Sequence, residues 1–155
     1  MIGGITRFQP LLWLLVLLLS LLLATMGSAA ASAERGDFGC SSLAAKSGVR
    51  LSEKGLNLVE NHLSKFDFPP NQGMMQRLRT SFANGEKVTG ADANFYLHEA
   101  NEATTIGRLG YEGAHPAALQ KYGVKEFDLY HPEVIQANPQ WFNSNWRSYW
   151  GLPNP

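Results

Sequence analysis

The sequence contains one cysteine, no net charge and no segment with the regular apolar-polar alternation of β-strands. Cys40 is the only cysteine among 155 residues, which excludes an intramolecular disulfide, so packing or a metal ion must supply stability. Thirteen basic residues balance thirteen acidic ones. The chain therefore lacks the basic excess that is typical of nucleic-acid-binding proteins.

A single apolar run dominates the N-terminus. Residues 11–23 are apolar apart from one serine, and Arg7 is the only charge before them. The small residues "ASA" at 31–33 match the pattern that signal peptidase cleaves, so we expect residues 1–33 to be a signal peptide. An uncleaved anchor is the alternative, because residues 11–26 approach the roughly 17 residues that a membrane-spanning helix needs.

Beyond the signal peptide, the composition predicts a short linker and one domain. Residues 34–48 are rich in Gly, Ser and Ala, which is typical of a linker, and residues 49–155 have the usual size of a single domain. We expect this domain to be secreted or periplasmic. Export also removes Arg7, which leaves 12 basic against 13 acidic residues.

Helix start and stop signals recur through the domain. Ser52 followed by Glu53 predicts the start of a first helix, which must end before Pro69-Pro70. Apolar residues at helical spacing from 74 to 82 predict a second helix, and Asn84-Gly85 predicts its end.

The second half of the domain continues the helical pattern. The segment from Thr89 to Asp92 is similar to a capping box and predicts a third helix that runs to Gly107. Proline at the first helical position loses no hydrogen bond, so the polar-proline pairs predict short helices beginning at Pro116, Pro132 and Pro139. Only residues 124–130 could form a short strand. The sequence predicts an all-α domain of five or six short helices.

The segment "LHEANE" places three metal-ligating or catalytic side chains on one helix. His98 and Glu102 lie only about 40° apart around the helix axis, so both can hold the same ion. Glu99 then lies beside them and can act on the water that the ion activates. Zinc accepts histidine and carboxylate ligands, but a catalytic site needs a third protein ligand. His115 and His131, each directly before a helix-starting proline, are the candidates.

The same residues also have a plainer interpretation. His98, Glu99 and Glu102 suit a solvated helix face, and His115 and His131 suit ordinary positions before helix-starting prolines. We expect the remaining histidine of the domain, His62, on the surface. Three aromatic features stay open between packing and function. They are Tyr96 and Tyr130 as proton donors or oxyanion ligands, and the C-terminal group Trp141, Phe142, Trp146, Tyr149 and Trp150 as a ligand-stacking platform.

Three motifs together resemble a known family. "GADANFYLHEANEAT", "GYEGAHPAALQKYG" and "LYHPEVI" occur in the order seen in the C-terminal effector domains of Rhs-repeat and related polymorphic toxin proteins of bacteria. The similarity covers about residues 51–150 and includes Tyr96, His98, Glu99, Glu102, His115, Tyr130, His131 and Pro132. It implies a toxin-type effector domain, here with its own export signal in place of a repeat scaffold, but it implies no particular reaction.

These observations combine into one leading hypothesis and two alternatives. The leading hypothesis is an exported, toxin-type metal-dependent hydrolase, with Zn²⁺ or another divalent ion on His98, Glu102 and either His115 or His131, and Glu99 as general base. The charge balance favours a peptide or cell-wall amide over nucleic acid as substrate, and an immunity protein is the expected partner of a toxin. The alternatives are a metal-dependent nuclease toxin and a non-catalytic helical module that binds a partner through its aromatic C-terminus.

Overall fold

A computed structural model describes residues 47–154, and most of these residues are helical. The all-α prediction is confirmed. The expected signal peptide and nearly all of the expected linker lie outside the described residues. Within 47–154, no helix is both long enough and apolar enough to cross a membrane.

Five α-helices and one short antiparallel strand pair make up the domain. In chain order they are β1 (Val49–Arg50), α1 (Glu53–Leu63), α2 (Pro70–Ala83), β2 (Lys87–Val88), α3 (Gly90–Tyr122), α4 (Pro132–Ala137) and α5 (Ser144–Tyr149). Two 3₁₀ turns, Glu126–Asp128 and Pro139–Trp141, precede α4 and α5. β1 pairs with β2, with Val49 opposite Val88, and so ties the start of α1 to the start of α3.

Several helix ends lie where the sequence predicts them. The Ser52 hydroxyl accepts a hydrogen bond from the Gly55 backbone N–H at 3.1 Å, which caps the first turn of α1. Asn84 caps α2, and Gly85 follows it with φ 71°. Gly123 ends α3 with φ 61°, a left-handed conformation that glycine adopts without steric cost.

A break at Gly110 divides α3 into a first arm, residues 90–109, and a second arm, residues 111–122. Gly110 has φ 68° and ψ 173°, a backbone conformation reserved essentially for glycine. This corrects two predictions: the first arm continues past Gly107, and Pro116 lies inside the second arm rather than at its start. The His115-Pro116 pair does not mark a helix start, because the break at Gly110 has already begun the new helix.

The later segments agree with the sequence in part. α4 begins at Pro132 with His131 as its N-cap, as predicted. The chain from Pro139 forms a 3₁₀ turn, and α5 begins only after Asn143, whose side chain accepts from two backbone N–H groups. Residues 124–130 contain a 3₁₀ turn, so the expectation of a short strand there is wrong.

The core lies between α1, α2 and the first arm of α3. Leu56, Val59, Met74, Leu78 and Phe95 are fully buried there. Each such side chain contributes roughly 1.5–3 kcal/mol relative to an exposed one. α1 approaches α3 closely because position 55 is glycine: a Cβ there would lie 1.8 Å from the Tyr96 hydroxyl. This approach brings the end of α1, with His62, against the face of α3 that carries Glu99 and Glu102.

Candidate metal centre

His98 and Glu102 lie one turn apart on the first arm of α3, with their side chains in contact. His98 Nε2 is 3.1 Å from Glu102 Oε2. The two residues are only 1% and 2% exposed, respectively. The solvated helix face considered for this segment is therefore wrong, because the side chains point into the protein.

His115 reaches the same point from the second arm. Its Nδ1 is 3.0 Å from His98 Nε2 and 3.2 Å from Glu102 Oε2. In an unbroken helix the 17 residues from His98 to His115 would span about 25 Å. The break at Gly110 folds the second arm back, and a hydrogen bond from Lys121 Nζ to Asn101 Oδ1, 3.0 Å long, joins the arms at a further point.

Three potential ligand atoms thus form a nearly equilateral triangle with sides of 3.0 to 3.2 Å. Hydrogen bonds alone explain this poorly, because an imidazole N–H points in one direction in the ring plane and cannot serve two partners well. Ligands about 2.0–2.1 Å from a tetrahedral zinc ion lie about 3.3–3.4 Å from one another. The triangle is within a few tenths of an ångström of that spacing.

A second group of ligand atoms adjoins the first. His62 Nε2 lies 3.4 Å from Glu102 Oε1 and 3.8 Å from Glu99 Oε2. His62 is 2% exposed, so the expectation that it lies on the surface is wrong. The signal was present in the sequence: His62 lies about 60° around the helix from the buried Val59, next to the apolar stripe of α1.

The charges of this cluster perturb one another strongly. Burial, and then the charge of Glu102, raises the pKa of Glu99 to about 8. Burial would also raise the pKa of Glu102, but its contacts with His115, His62 and His98 outweigh burial and hold that pKa below its usual range. Burial lowers the pKa of His98, whereas the hydrogen bond to Glu102 raises that of His115. Glu102 is therefore the ionised member of the cluster.

Two predicted site residues lie away from the cluster. His131 belongs to neither ligand group of the described region; its Nδ1 accepts from the Glu133 backbone N–H as the cap of α4. This corrects His131 as a candidate ligand. Tyr96 packs in the core against Gly55, because two residues along a helix place it about 200° around from His98. Of the two interpretations left open for Tyr96, packing is therefore the one that its position supports, and its candidacy as a proton donor or oxyanion ligand is corrected.

Tyr130 does lie near the cluster, on the wall of the adjoining cavity. Its hydroxyl donates a 2.6 Å hydrogen bond to Asn71 Oδ1. Burial, and then the charge of Glu99, raises the pKa of Tyr130 well above its usual value, so the phenol keeps its proton. Asn71 and Tyr111, whose ring stacks on His115, also line this cavity and were not predicted from the sequence.

The cavity opens beside the ligand triangle and has a volume of about 380 Å³. Three carboxylates, those of Glu99, Glu102 and Glu126, lie on its wall, and no lysine or arginine of the described chain lines it. The remaining wall is largely aromatic. It is formed by Phe66, Phe68, Tyr111, Tyr130, Trp141, Phe142 and Trp146. Part of the predicted C-terminal aromatic group therefore lines a cavity next to the candidate metal centre.

Comparisons of the chain with protein-family models, with curated proteins and with solved structures give no match in any of the three. The fold and the cluster together define an all-α domain with a buried histidine-carboxylate centre at the end of an aromatic, acidic cavity.

Proposed function

We propose that this protein is an exported, toxin-type effector that acts as a metal-dependent hydrolase, with a zinc or similar divalent ion on His98, Glu102 and His115. The observation that carries this proposal is the triangle of ligand atoms with 3.0 to 3.2 Å sides next to a cavity. Catalytic zinc sites combine three protein ligands with one position left for water or substrate. The effector assignment is supported by the three sequence motifs, and export by the N-terminal apolar run with its "ASA" segment.

Each residue of the cluster has a distinct role in this proposal. A bound ion lowers the pKa of water and polarises a carbonyl oxygen. Glu99 lies on the cavity wall beside Glu102 and accepts the proton that the attacking water gives up. The Tyr130 hydroxyl, on the same wall, would give up its bond to Asn71 Oδ1 and donate instead to the oxygen on which negative charge develops.

The charge of the cavity wall favours an amide substrate over a nucleic acid. A phosphodiester would approach three carboxylates with no lysine or arginine of the described residues to meet it. Aromatic rings such as Trp141 and Trp146 suit the apolar faces of peptide side chains or sugars instead. We therefore propose a peptide or a cell-wall amide as the substrate.

A direct test incubates the purified protein with denatured protein and with isolated cell wall, and measures newly released amino groups. We expect release that a chelator abolishes and zinc restores. Glu99→Gln should lower the rate by about 10²–10⁴-fold, the usual contribution of a general base. Tyr96→Phe is the matched control among the tyrosines, since its ring lies in the core, whereas Tyr130→Phe should slow the reaction.

RNA and DNA are digested in parallel. Zinc-dependent cleavage of a nucleic acid, with no release of amino groups from either amide substrate, would contradict the proposed substrate. The proposed hydrolase activity would be contradicted if no substrate were hydrolysed and the protein instead bound a partner. In that case Trp146→Ala should abolish binding and Glu99→Gln should leave it intact.

A further inference from the structure

Glu102 has two carboxylate oxygens, and the structure directs them to different histidines. Oε2 contacts His98 and His115, as described above, whereas Oε1 lies 3.4 Å from His62 Nε2. Glu99 Oε2 lies 3.8 Å from the same nitrogen of His62. Among the described residues, two sets of three potential ligands therefore meet at one carboxylate.

His62 has no hydrogen-bonding partner that would explain its burial. Both of its ring nitrogens are buried and neither makes a hydrogen bond to any described residue. Its contact with Glu102 lacks the alignment of a hydrogen bond, although the ring edge packs against Phe66 with the two centroids 5.2 Å apart. Buried polar atoms nearly always have a hydrogen-bonding partner. The two buried ring nitrogens of His62 have none among the described residues, which points to a bound group such as a metal ion.

The charge around His62 is of the sign that attracts a cation. Glu99 and Glu102 are both buried, and no lysine or arginine within residues 47–154 forms an ion pair with either carboxylate. Two carboxylates in a dry environment repel each other, so one of them holds a proton unless a positive charge lies between them. A single ion on the His98 side of Glu102 leaves Glu99 and His62 without a partner.

We infer that His62, Glu99 and Glu102 form a second metal site, so that Glu102 bridges two divalent ions, one through each carboxylate oxygen. Two-metal centres of this kind occur in many hydrolases and hold their ions roughly 3.5–4 Å apart. Glu99 uses Oε2, the oxygen that approaches His62, and its other oxygen remains the proton acceptor. The inference rests on the proposed first site, because Glu102 is shared.

Metal stoichiometry tests the second site without any substrate. The metal-free protein is saturated with Zn²⁺, passed through a desalting column and analysed for zinc per chain. We expect two zinc ions for the wild type and one for His62→Gln, which keeps a polar side chain but removes the imidazole. His131→Gln is the matched histidine control and should retain two. Saturation with Mn²⁺ gives a second readout, since two ions bridged by a carboxylate show a spin-coupled resonance that His62→Gln should lose.

The outcomes separate the two proposals. One zinc ion in the wild type, or two in both the wild type and His62→Gln, overturns the second site and leaves the first intact. No bound zinc in the wild type overturns both. Retention of one ion by His62→Gln also shows that the variant has folded, because the first site requires both arms of α3 to be in place.

Discussion

Glu102 is the residue on which the proposed centre depends most. Its carboxylate contacts three histidines that come from α1 and from both arms of α3. Those contacts hold its pKa below the usual range in spite of burial, so it supplies a permanent negative charge. Glu99, about one turn earlier on the helix, has the opposite behaviour, because burial, and then the charge of Glu102, raises its pKa.

This difference predicts how the stability of the metal-free protein depends on pH. The pKa of Glu99 is raised from 4.5 to about 8 in the folded protein, so between these values the folded state holds a proton that the unfolded chain releases. The raised pKa of His115 acts in the same direction above 6.5. His98, whose pKa is lowered, affects stability only below 6.5. The stability of the metal-free protein should therefore fall from pH 6.5 to 8, by up to about 1.4 kcal/mol per pH unit for each such proton.

Urea unfolding in the presence of a chelator measures this slope. Glu99→Gln should remove the larger part of it, because glutamine does not titrate. Saturating zinc should reverse its sign, since metal ligands bind in their deprotonated forms. A metal-free stability that is flat or rises between pH 6.5 and 8 would show that Glu99 is not buried beside an ionised Glu102.

At the scale of the elements, the centre depends on the break in α3. The two arms bring His98 and His115 within 3.0 Å, and the break occurs at Gly110 with φ 68°. No atom outside its own neighbours lies within 4 Å of a Cβ built at that position, so the requirement for glycine is conformational and not steric. Gly107, three residues earlier in the regular helix, is equally open.

Gly110→Ala should therefore weaken metal binding and stability together. The backbone conformation of Gly110 costs an alanine about 1–3 kcal/mol, or else the second arm shifts and His115 leaves the cluster. Zinc titration and urea unfolding measure the two effects. Gly107→Ala is the control and should be neutral or stabilising, by up to about 1 kcal/mol, since alanine favours a helix. Equal zinc affinity in both variants would show that the arms need not fold back for binding.

How far the sequence predicts these elements differs from one helix end to the next. Ser52, Asn84 and Gly123 end or begin helices through local capping, so their positions could be read from a few neighbouring residues. The break at Gly110 could not, because Gly107, Gly110 and Gly113 look alike in sequence and only packing selects one. The candidate site shows the same division. The proximity of His98 and Glu102 follows from helix geometry, whereas the approach of His62 and His115 to Glu102 depends on the fold.

At the scale of the whole molecule, the proposed centre joins parts of the chain that are distant in sequence. The ligands come from α1 and from both arms of α3, and the centre lies beside the hydrophobic core at the end of the aromatic cavity. The chain has one cysteine and so cannot cross-link itself with a disulfide. A bound ion is the cross-link that this arrangement of ligands allows, and its binding free energy adds to folding stability.

The measurement that tests this account most directly is the metal content of the purified protein after exposure to zinc and desalting. The account predicts at least one tightly held ion per chain in the wild type. His98→Ala should hold no ion at the first site, because two of the three sides of the ligand triangle end at His98 Nε2. A folded wild-type protein that retains no stoichiometric metal would contradict the central claim.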